Sequence, residues 1–230
     1  MPDRDDFTIG CMNRKNMENE TLKERFLGTI FGQAVGDALG LSTEFMSKQE
    51  VDRFYPNGIE DYSQIVQDDH RRRWQRGDWT DDTDMMLCIL DSLVACQKVD
   101  ILDIARRFKE WMMNGGMGIG RHTYNVMALG DYTSNPQKAA EIIWKMGKKK
   151  AAANGAVMRT SVVGLMKDNV ANAAVAGAIL GAKFGICHIP DEWRNGLLHA
   201  SMLHDKVQDL YFYNHRHSRK VSLMTKNGNV

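Results

Sequence analysis

Apolar residues recur at helical spacing along most of the chain. Between residues 21 and 40 they occupy every fourth position, in a stripe formed by Leu22, Phe26, Ile30, Ala34 and Ala38. Further helical patterns cover residues 83–97, residues 100–113 and a stretch from 136 to about 146. The last of these begins with an Asn-Pro pair, which is typical of a helix start. Strand-like alternation is scarce, so the pattern predicts an all-α domain.

Two rows of small residues indicate unusually close packing between helices. The first row is Gly28, Gly32, Gly36 and Gly40, and the second is Ala173, Gly177, Gly181 and Gly185. A glycine inside a helix costs roughly 1 kcal/mol relative to alanine, so a regular row of them suggests the close approach of another backbone or of a ligand. We therefore predict that the two helices pack against each other in the centre of the domain.

The composition is that of one globular domain. Of the 230 residues, 43% are hydrophobic and 26% are charged, and the formal net charge is only +1. No overall field would attract nucleic acid or an anionic membrane. The basic runs at 71–73 and 148–150 indicate solvated loops. We expect a loose leader over residues 1–20, a helical domain over 21–200, and a tail over 201–230 that is partly helical and then disordered.

No stretch is typical of a signal peptide or a membrane anchor. The first 20 residues are polar, and the longest weakly polar run, residues 170–182, is too short to cross a bilayer. The four cysteines, at positions 11, 88, 96 and 187, show no Cys-x-x-Cys spacing. We therefore expect an intracellular protein, cytoplasmic or in another intracellular compartment, with reduced thiols.

The run from Thr80 to Thr83 carries the strongest chemical signal. It follows a Gly-Asp-Trp sequence and opens an apolar helical segment, so Thr80 is the expected N-cap, and Asp81 and Asp82 fall in the first turn. Two carboxylates and a hydroxyl around a helix start would offer oxygen ligands to a hard cation such as Mg²⁺. Acidic residues in a first turn are also favoured by the helix dipole alone, so both interpretations remain open.

Three further segments contain candidate functional residues. Asp37 lies inside an apolar helix and would need a partner if buried, and Glu44 follows either at the rim of a site or as an ordinary loop acid. The glycine-rich loop 114–120 precedes a helix that begins near Thr123, and it is either a phosphate-binding loop or a flexible turn. Arg159 follows an Asn-Gly turn, where it would bind a phosphate or carboxylate or form a surface ion pair.

Taken in order, the motifs resemble the ADP-ribosylglycohydrolase family over about residues 22–200. The motifs are Gly-Asp-Ala-Leu-Gly with a Glu four positions later (36–44), Trp-Thr-Asp-Asp-Thr-Asp-Met (79–85), Gly-Ile-Gly (118–120), Asn-Gly-Ala-Val-Met-Arg (154–159) and an Ala/Gly-rich helix (172–182). The resemblance implies an all-helical domain with two Mg²⁺ ions in a central cleft. It also implies hydrolysis of the glycosidic bond that joins ADP-ribose to a protein side chain or a related acceptor.

The resemblance assigns a role to each matched residue. The metal ligands would be Thr80, Asp81, Asp82 and Asp168, and the catalytic residues would be Glu44, Asp81 and Asp82. The residues around the ADP-ribose would be Gly118, Gly120, Asn154, Gly155 and Arg159. The expected partners are ADP-ribosylated proteins or small molecules that contain ADP-ribose, with neither nucleic acid nor membrane involved.

Two departures from the family pattern support an alternative function. The family completes its metal site with Asp-x-Asp-Thr, but this chain has Val170 and Ala171 in place of the second acid and the Thr. The loss of these ligands implies a weakened second Mg²⁺ site. Arg159 and Asp168 are only nine positions apart, which implies that several central helices are absent. The alternative is a catalytically impaired member that acts as a binding or structural protein. Uncovered apolar surface would favour its self-association.

Overall fold

Helices alone build the part of the chain that the computed structural model describes, which comprises residues 14–151, 153, 155–165 and 185–212. They are α1 (Arg14–Gly40), α2 (Lys48–Phe54), α3 (Asp81–Cys96), α4 (Ile101–Met113), α5 (Arg121–Ala128), α6 (Pro136–Met146), α7 (Gly155–Met158), α8 (Ser161–Leu165), α9 (Asp191–Gly196) and α10 (residues 200–212). Short 3-10 turns cover Tyr62–Gln64, Arg71–Arg73 and Ile186–His188. No strand occurs in these ranges, so the predicted all-α class is confirmed.

The helix starts follow local capping signals in the sequence. Thr80 caps α3. Asp100 caps α4, because its side chain accepts hydrogen bonds from two backbone N–H groups in the first turn of α4. Helix α6 begins with a proline at its first position, as predicted, and ends at Met146. A capping side chain satisfies donors that the helix itself leaves unpaired, which is why these boundaries can be predicted from short sequence windows.

Helix α1 is 27 residues long and begins at Arg14, ahead of the start predicted near Thr21. Its core face is formed by Phe26, Leu27, Ile30, Phe31, Ala34, Val35 and Ala38. This face packs against α3, α8 and the turn at Ile186–His188. From Phe26 to Ala38, the predicted apolar stripe therefore lies on the side of α1 that faces the interior.

Helix α3 is the central helix of the described core. Met85, Met86, Leu90 and Leu93 on α3 are all 0% exposed, and the helix packs against α1, α4, α7 and α8. Burying a side chain of this size stabilises the fold by roughly 1.5–3 kcal/mol. Because α3 is surrounded on several sides, its first turn is held in a defined place relative to the rest of the domain.

Helix α10 also belongs to this core, although we expected only a partly helical tail beyond residue 200. Leu203, Val207 and Leu210 recur along one face of α10, and each is 0% exposed. Their spacing of four and three residues is that of a helix with one buried side. The helical part of the predicted tail therefore packs as a regular element of the domain.

Some predictions concern residues outside the described ranges. The second small-residue row, apart from Gly185, lies in the stretch 166–184, together with Val170 and Ala171. The packing of the two rows, the absence of central helices and self-association therefore stay predictions. Among the described helices, none combines the length and apolarity needed to cross a bilayer. Cys88, Cys96 and Cys187 form no disulfide.

Candidate active site

The carboxylate of Asp37 on α1 forms four hydrogen bonds with the start of α3. Its Oδ1 accepts a hydrogen bond from Oγ1 of Thr80 at 2.7 Å, and its Oδ2 accepts from the backbone N of Thr80 at 3.0 Å. Oδ2 also accepts from the backbone N and Oγ1 of Thr83, at 3.0 and 2.8 Å. Burial raises the pKa of Asp37, and the four donated hydrogen bonds act in the opposite direction. Asp37 thus has the partners that its position in an apolar helix requires.

A cavity of about 480 Å³, here called the central cavity, opens beside the first turn of α3. Its lining comprises Gln33, Gly36, Asp37, Gly40, Leu41, Glu44, Phe45, Thr80, Asp81, Asp82, Gly118, Gly120, His122, Thr123, Ala153, Gly155 and Met158. Seven residues predicted from the sequence are in this set, namely Glu44, Thr80, Asp81, Asp82, Gly118, Gly120 and Gly155. The structure therefore brings most of the predicted site together around one cavity.

The carboxylates of Asp81 and Asp82 are only partly compensated by positive charge. Burial raises the pKa of Asp81 to about 6, helped by repulsion from Asp37 and Glu44. Burial likewise raises the pKa of Asp82 to about 7, with repulsion from Asp37, Asp81 and Glu44. Arg159 acts in the opposite direction on both groups. Two crowded acids of this kind are suited to a divalent cation, which would neutralise both.

Three of the four predicted metal ligands, Thr80, Asp81 and Asp82, lie in the described ranges and line the central cavity. Asp81 and Asp82 offer carboxylate oxygens. The Oγ1 of Thr80 donates a hydrogen bond to Asp37 and accepts one from the backbone N of Asp82, which leaves one of its two lone pairs for a ligand. Within the described ranges, no group of three or more His, Cys, Asp or Glu is arranged to hold a metal. Asp168, the fourth predicted ligand, lies outside those ranges. Oxygens of these types are ligands that a hard cation such as Mg²⁺ prefers, so the predicted metal role of these residues stays a prediction.

The glycine-rich loop brings its backbone against the carboxylate of Asp81. Gly118 has a φ of +87°, a conformation that favours glycine. A methyl group on Gly118 would lie 2.7 Å from Oδ1 of Asp81 and 3.3 Å from its backbone N. Gly120 is the residue before α5 and has open space around it. The loop thus combines a tight contact at Gly118 with room for a ligand at Gly120.

Arg159 is buried, so its interpretation as a surface ion pair is wrong. It is 8% exposed, its Nε donates to the backbone O of Gly155, and its guanidinium lies 5.4 Å from the ring centre of Phe108. It lines a second cavity of about 490 Å³, which shares His122, Thr123, Ala153 and Gly155 with the central one. Burial lowers the pKa of Arg159. Its predicted contact with ADP-ribose stays a prediction, and Asn154 lies outside the described residues.

Glu44 lines the central cavity from a partly exposed position at its rim. Its side chain is 42% exposed, and its Oε2 is 2.8 Å from Nε2 of His70. The sequence offered no reason to single out His70, because a lone histidine in a charged loop has no distinctive spacing. The pairing arises because the loop after α1 and the segment before Trp74 meet in the folded chain.

Arg71 is a second residue that sequence reasoning missed. The run at 71–73 was expected to be solvated, but Arg71 is 2% exposed, whereas Arg72 is 68% exposed. The Nε of Arg71 lies 3.0 Å from the backbone O of Leu41 and 2.8 Å from that of Ser42, and its Nη2 donates to the backbone O of Glu44. The buried guanidinium of Arg71 thus holds the loop that carries Glu44. This residue was missed because a run of three arginines gives no local signal of which one is buried.

Gln33 is a third such residue, and it joins three segments around the cavity. Its Nε2 donates to the backbone O of Asp82 at 3.2 Å and to that of Met158 at 2.9 Å, and its Oε1 accepts a hydrogen bond from Ser161. Gln33 is 1% exposed, so these bonds satisfy a fully buried amide. The glutamine therefore fixes the first turn of α3 relative to α7 and α8.

Comparison with known proteins identifies relatives of the chain. The sequence model of the ADP-ribosylglycohydrolase family matches residues 18–171 and 165–220. An ADP-ribosyl-(dinitrogen reductase) glycohydrolase from Rhodospirillum rubrum is 36% identical over 111 residues, which are 45% of this chain and 34% of that protein. The ADP-ribosylarginine hydrolase Tri1 of Serratia proteamaculans (strain 568) is 31% identical over 98 residues, 43% of this chain and 24% of that protein.

Two further comparisons agree with these. The ADP-ribosylhydrolase ARH3 of Danio rerio is 32% identical over 108 residues, which are 45% of this chain and 26% of that protein. A solved ADP-ribosylglycohydrolase-related protein complex has a similar fold, with a TM-score of 0.52 and 17% identity, and the match covers 85% of this chain and 99% of the solved one. The chain spans less than half the length of each of these curated relatives.

Proposed function

The chain belongs to the ADP-ribosylglycohydrolase family, and from that premise we propose that it hydrolyses the glycosidic bond between ADP-ribose and a protein side chain or small-molecule acceptor. We also propose that Thr80, Asp81 and Asp82 hold a divalent cation such as Mg²⁺. The observation that carries both proposals is the pair Asp81 and Asp82, which lines the central cavity together with Glu44.

The reaction adds water across the bond between the anomeric carbon and the acceptor. The oxygen of the water bonds to that carbon, the bond to the acceptor breaks, and the acceptor leaves with a proton. The transition state resembles an oxocarbenium ion. A bound cation would hold the ribose hydroxyls and lower the pKa of the attacking water. In this proposal, Asp81 or Asp82 accepts the proton of the water, and Glu44 serves proton transfer at the rim.

The glycines in the lining suit a diphosphate-containing substrate. Gly118, Gly120 and Gly155 present backbone without side chains, which allows N–H groups to approach phosphate oxygens. Helix α5 begins directly after Gly120, and the partial positive charge at its start favours an anion. We propose that this side of the cavity binds the diphosphate of ADP-ribose.

The substrate class is proposed from the names of the relatives. The Rhodospirillum relative is named for ADP-ribosyl-dinitrogen reductase, and the Serratia relative for ADP-ribosylarginine. A protein or small molecule that carries ADP-ribose is therefore the proposed partner. An arginine-linked ADP-ribosyl peptide is the first substrate to test, followed by a serine-linked one.

A direct assay tests the hydrolase. The protein is incubated with the ADP-ribosylated peptide in Mg²⁺ or in EDTA, and free ADP-ribose is measured. We expect release that requires Mg²⁺ and is lost in Asp81→Asn and Asp82→Asn. Asp69→Asn is the matched control, because the Asp69 side chain is 93% exposed. Equal release by all variants, or equal release in EDTA, would contradict the proposed site.

The alternative is a protein that binds ADP-ribose without hydrolysing it. The observation that favours it is in the sequence, where Val170 and Ala171 replace an acid and a hydroxyl of the second metal motif. A binder would release no ADP-ribose, but its melting temperature would rise with ADP-ribose in a Mg²⁺-dependent manner, because a ligand that binds only the folded state stabilises it. Absence of both signals would contradict the hydrolase and the binder alike.

A further inference from the structure

His70 lies between the carboxylate of Glu44, which lines the central cavity, and the guanidinium of Arg73. Its Nε2 is 2.8 Å from Oε2 of Glu44, and its Nδ1 is 2.8 Å from Nη2 of Arg73. A guanidinium has only donors, so Nδ1 of His70 must accept this hydrogen bond. The neutral ring then carries its proton on Nε2, and that N–H donates to the carboxylate of Glu44.

The orientation of the His70 ring is fixed from several sides. Phe45 and Trp74 contact it edge to face, with ring centres 5.1 and 5.4 Å away. Arg73 lies over the ring of Trp74 at 4.6 Å and also donates from Nε to the backbone O of His70 at 3.1 Å. The backbone N of His70 donates to Asp68 at 3.0 Å. A ring held in this way presents Nε2–H in one direction.

The side chain of Glu44 depends on this donor. Arg71 holds the backbone of its loop, but that contact leaves the side-chain torsions of Glu44 free. Within the described part of the chain, His70 is the hydrogen-bond partner of the Glu44 carboxylate, which is 42% exposed. A long acid at an exposed rim would otherwise occupy several rotamers.

We propose that His70 is a positioning residue that orients the Glu44 carboxylate at the edge of the central cavity for proton transfer. The inference rests on the proposed hydrolase function, and it adds a residue that acts through Glu44 without touching the reacting atoms. Arg73 completes the arrangement because it keeps Nδ1 of His70 as an acceptor and thereby leaves the proton on Nε2. The orientation of a proton-transfer group affects the rate of the chemical step more strongly than it affects the affinity for substrate.

Kinetics of paired variants test the role. His70→Leu should lower kcat about tenfold, a part of the 10²–10⁴ that a general acid or base contributes, with KM nearly unchanged. His70→Gln keeps an N–H donor at a similar reach and should recover most of the rate. In a Glu44→Gln background, His70→Leu should cause no further loss, because the residue acts only through Glu44. Multiplicative losses in the double variant, or a fall confined to KM, would overturn the proposal.

Controls separate this proposal from folding and from the proposed function. His204→Leu is the matched substitution, because His204 is exposed on α10 and, within the part of the chain that the structure describes, forms no hydrogen bond or ion pair with Glu44. It should leave kcat unchanged. Nitrogen NMR of the imidazole provides a readout without turnover: we expect the neutral His70 ring to be protonated at Nε2, and protonation at Nδ1 would overturn the proposal. If the wild-type chain hydrolyses the substrate and His70→Leu is equally active, the role of His70 alone is refuted. If the wild-type chain shows no hydrolysis, the proposed hydrolase function and this role are refuted together.

Discussion

Gly118 and the carboxylate of Asp81 are in direct contact across the wall of the central cavity. A methyl group on Gly118 would lie 2.7 Å from Oδ1 of Asp81, closer than packed atoms tolerate. The contact couples the glycine-rich loop to the proposed metal ligand. Movement of the loop at Gly118 would therefore change the position of the carboxylate.

Gly118→Ala should impair Mg²⁺ binding at the proposed metal site more than it impairs stability. The added methyl group turns the Asp81 carboxylate away, so Mg²⁺ affinity should fall at least about tenfold, equivalent to about 1.4 kcal/mol. Gly115→Ala is the control, because Gly115 also has a positive φ, +92°, but open space around it. Both substitutions should cost about 1–2 kcal/mol of backbone strain. Calorimetric Mg²⁺ titration distinguishes them, and equal affinities would contradict the contact.

Asp37→Asn should destabilise the domain through the start of α3. The amide cannot accept the four hydrogen bonds that the carboxylate receives from Thr80 and Thr83, and its own N–H₂ would face their donors. We expect a loss of about 2–3 kcal/mol in the free energy of unfolding. Urea unfolding measures this loss. Asp69→Asn, on an exposed side chain, should change stability by less than about 0.5 kcal/mol.

Arg71→Lys should release the loop that carries Glu44. A lysine presents one compact ammonium group and cannot bond the carbonyls of Leu41, Ser42 and Glu44 together. Stability should fall by about 1–3 kcal/mol, because buried carbonyls are left without partners, and ADP-ribose release should slow. Arg72→Lys is the matched control on an exposed side chain and should behave as wild type. Thermal melts and the release assay would show whether the two variants differ.

Without metal, stability should decrease as the pH rises from about 4 to about 7. The carboxyl pKa values of Asp81 and Asp82 are about 6 and about 7 in the folded chain, against an ordinary value of 3.8. The folded state therefore holds more protons than the unfolded state in this window. The stabilisation that comes from these extra bound protons is complete below the ordinary carboxyl pKa, and it is lost as the pH rises through the folded-state pKa values.

Urea unfolding in EDTA across this pH range measures the slope. Asp82→Asn should flatten it, since one of the two raised groups is removed, and Asp69→Asn should leave it unchanged. Added Mg²⁺ should stabilise the wild-type chain more at neutral pH than at about pH 5, because protons compete with the cation for the same oxygens. A stability profile that rises with pH in EDTA would show that these acids are not crowded in the folded protein.

Leu210→Ala tests whether α10 is part of the core. Leu210 is 0% exposed, and its truncation should cost about 2–5 kcal/mol. Phe212→Ala, two residues later, removes a side chain that is 58% exposed and should cost less than about 0.5 kcal/mol. Both changes are read out by urea unfolding. Equal effects would mean that the end of α10 is not packed as described.

The sequence by itself determined the features that depend on neighbouring residues. The starts of α3, α4 and α6 were predictable because Thr80, Asp100 and Pro136 act on the backbone within one helical turn. The motif that contains Asp81 and Asp82, the helical class and the family resemblance were also readable, because they rest on local order and spacing.

Only the tertiary structure decided the contacts between distant segments. Asp37 meets Thr80 and Thr83, more than 40 positions away, and Arg71 alone of three consecutive arginines is buried. His70 reaches Glu44 because two loops are packed together. Such contacts depend on how whole helices and loops pack against one another. Residues of these types occur in the same local sequence patterns whether they are buried or solvated, so the sequence alone does not distinguish the two cases.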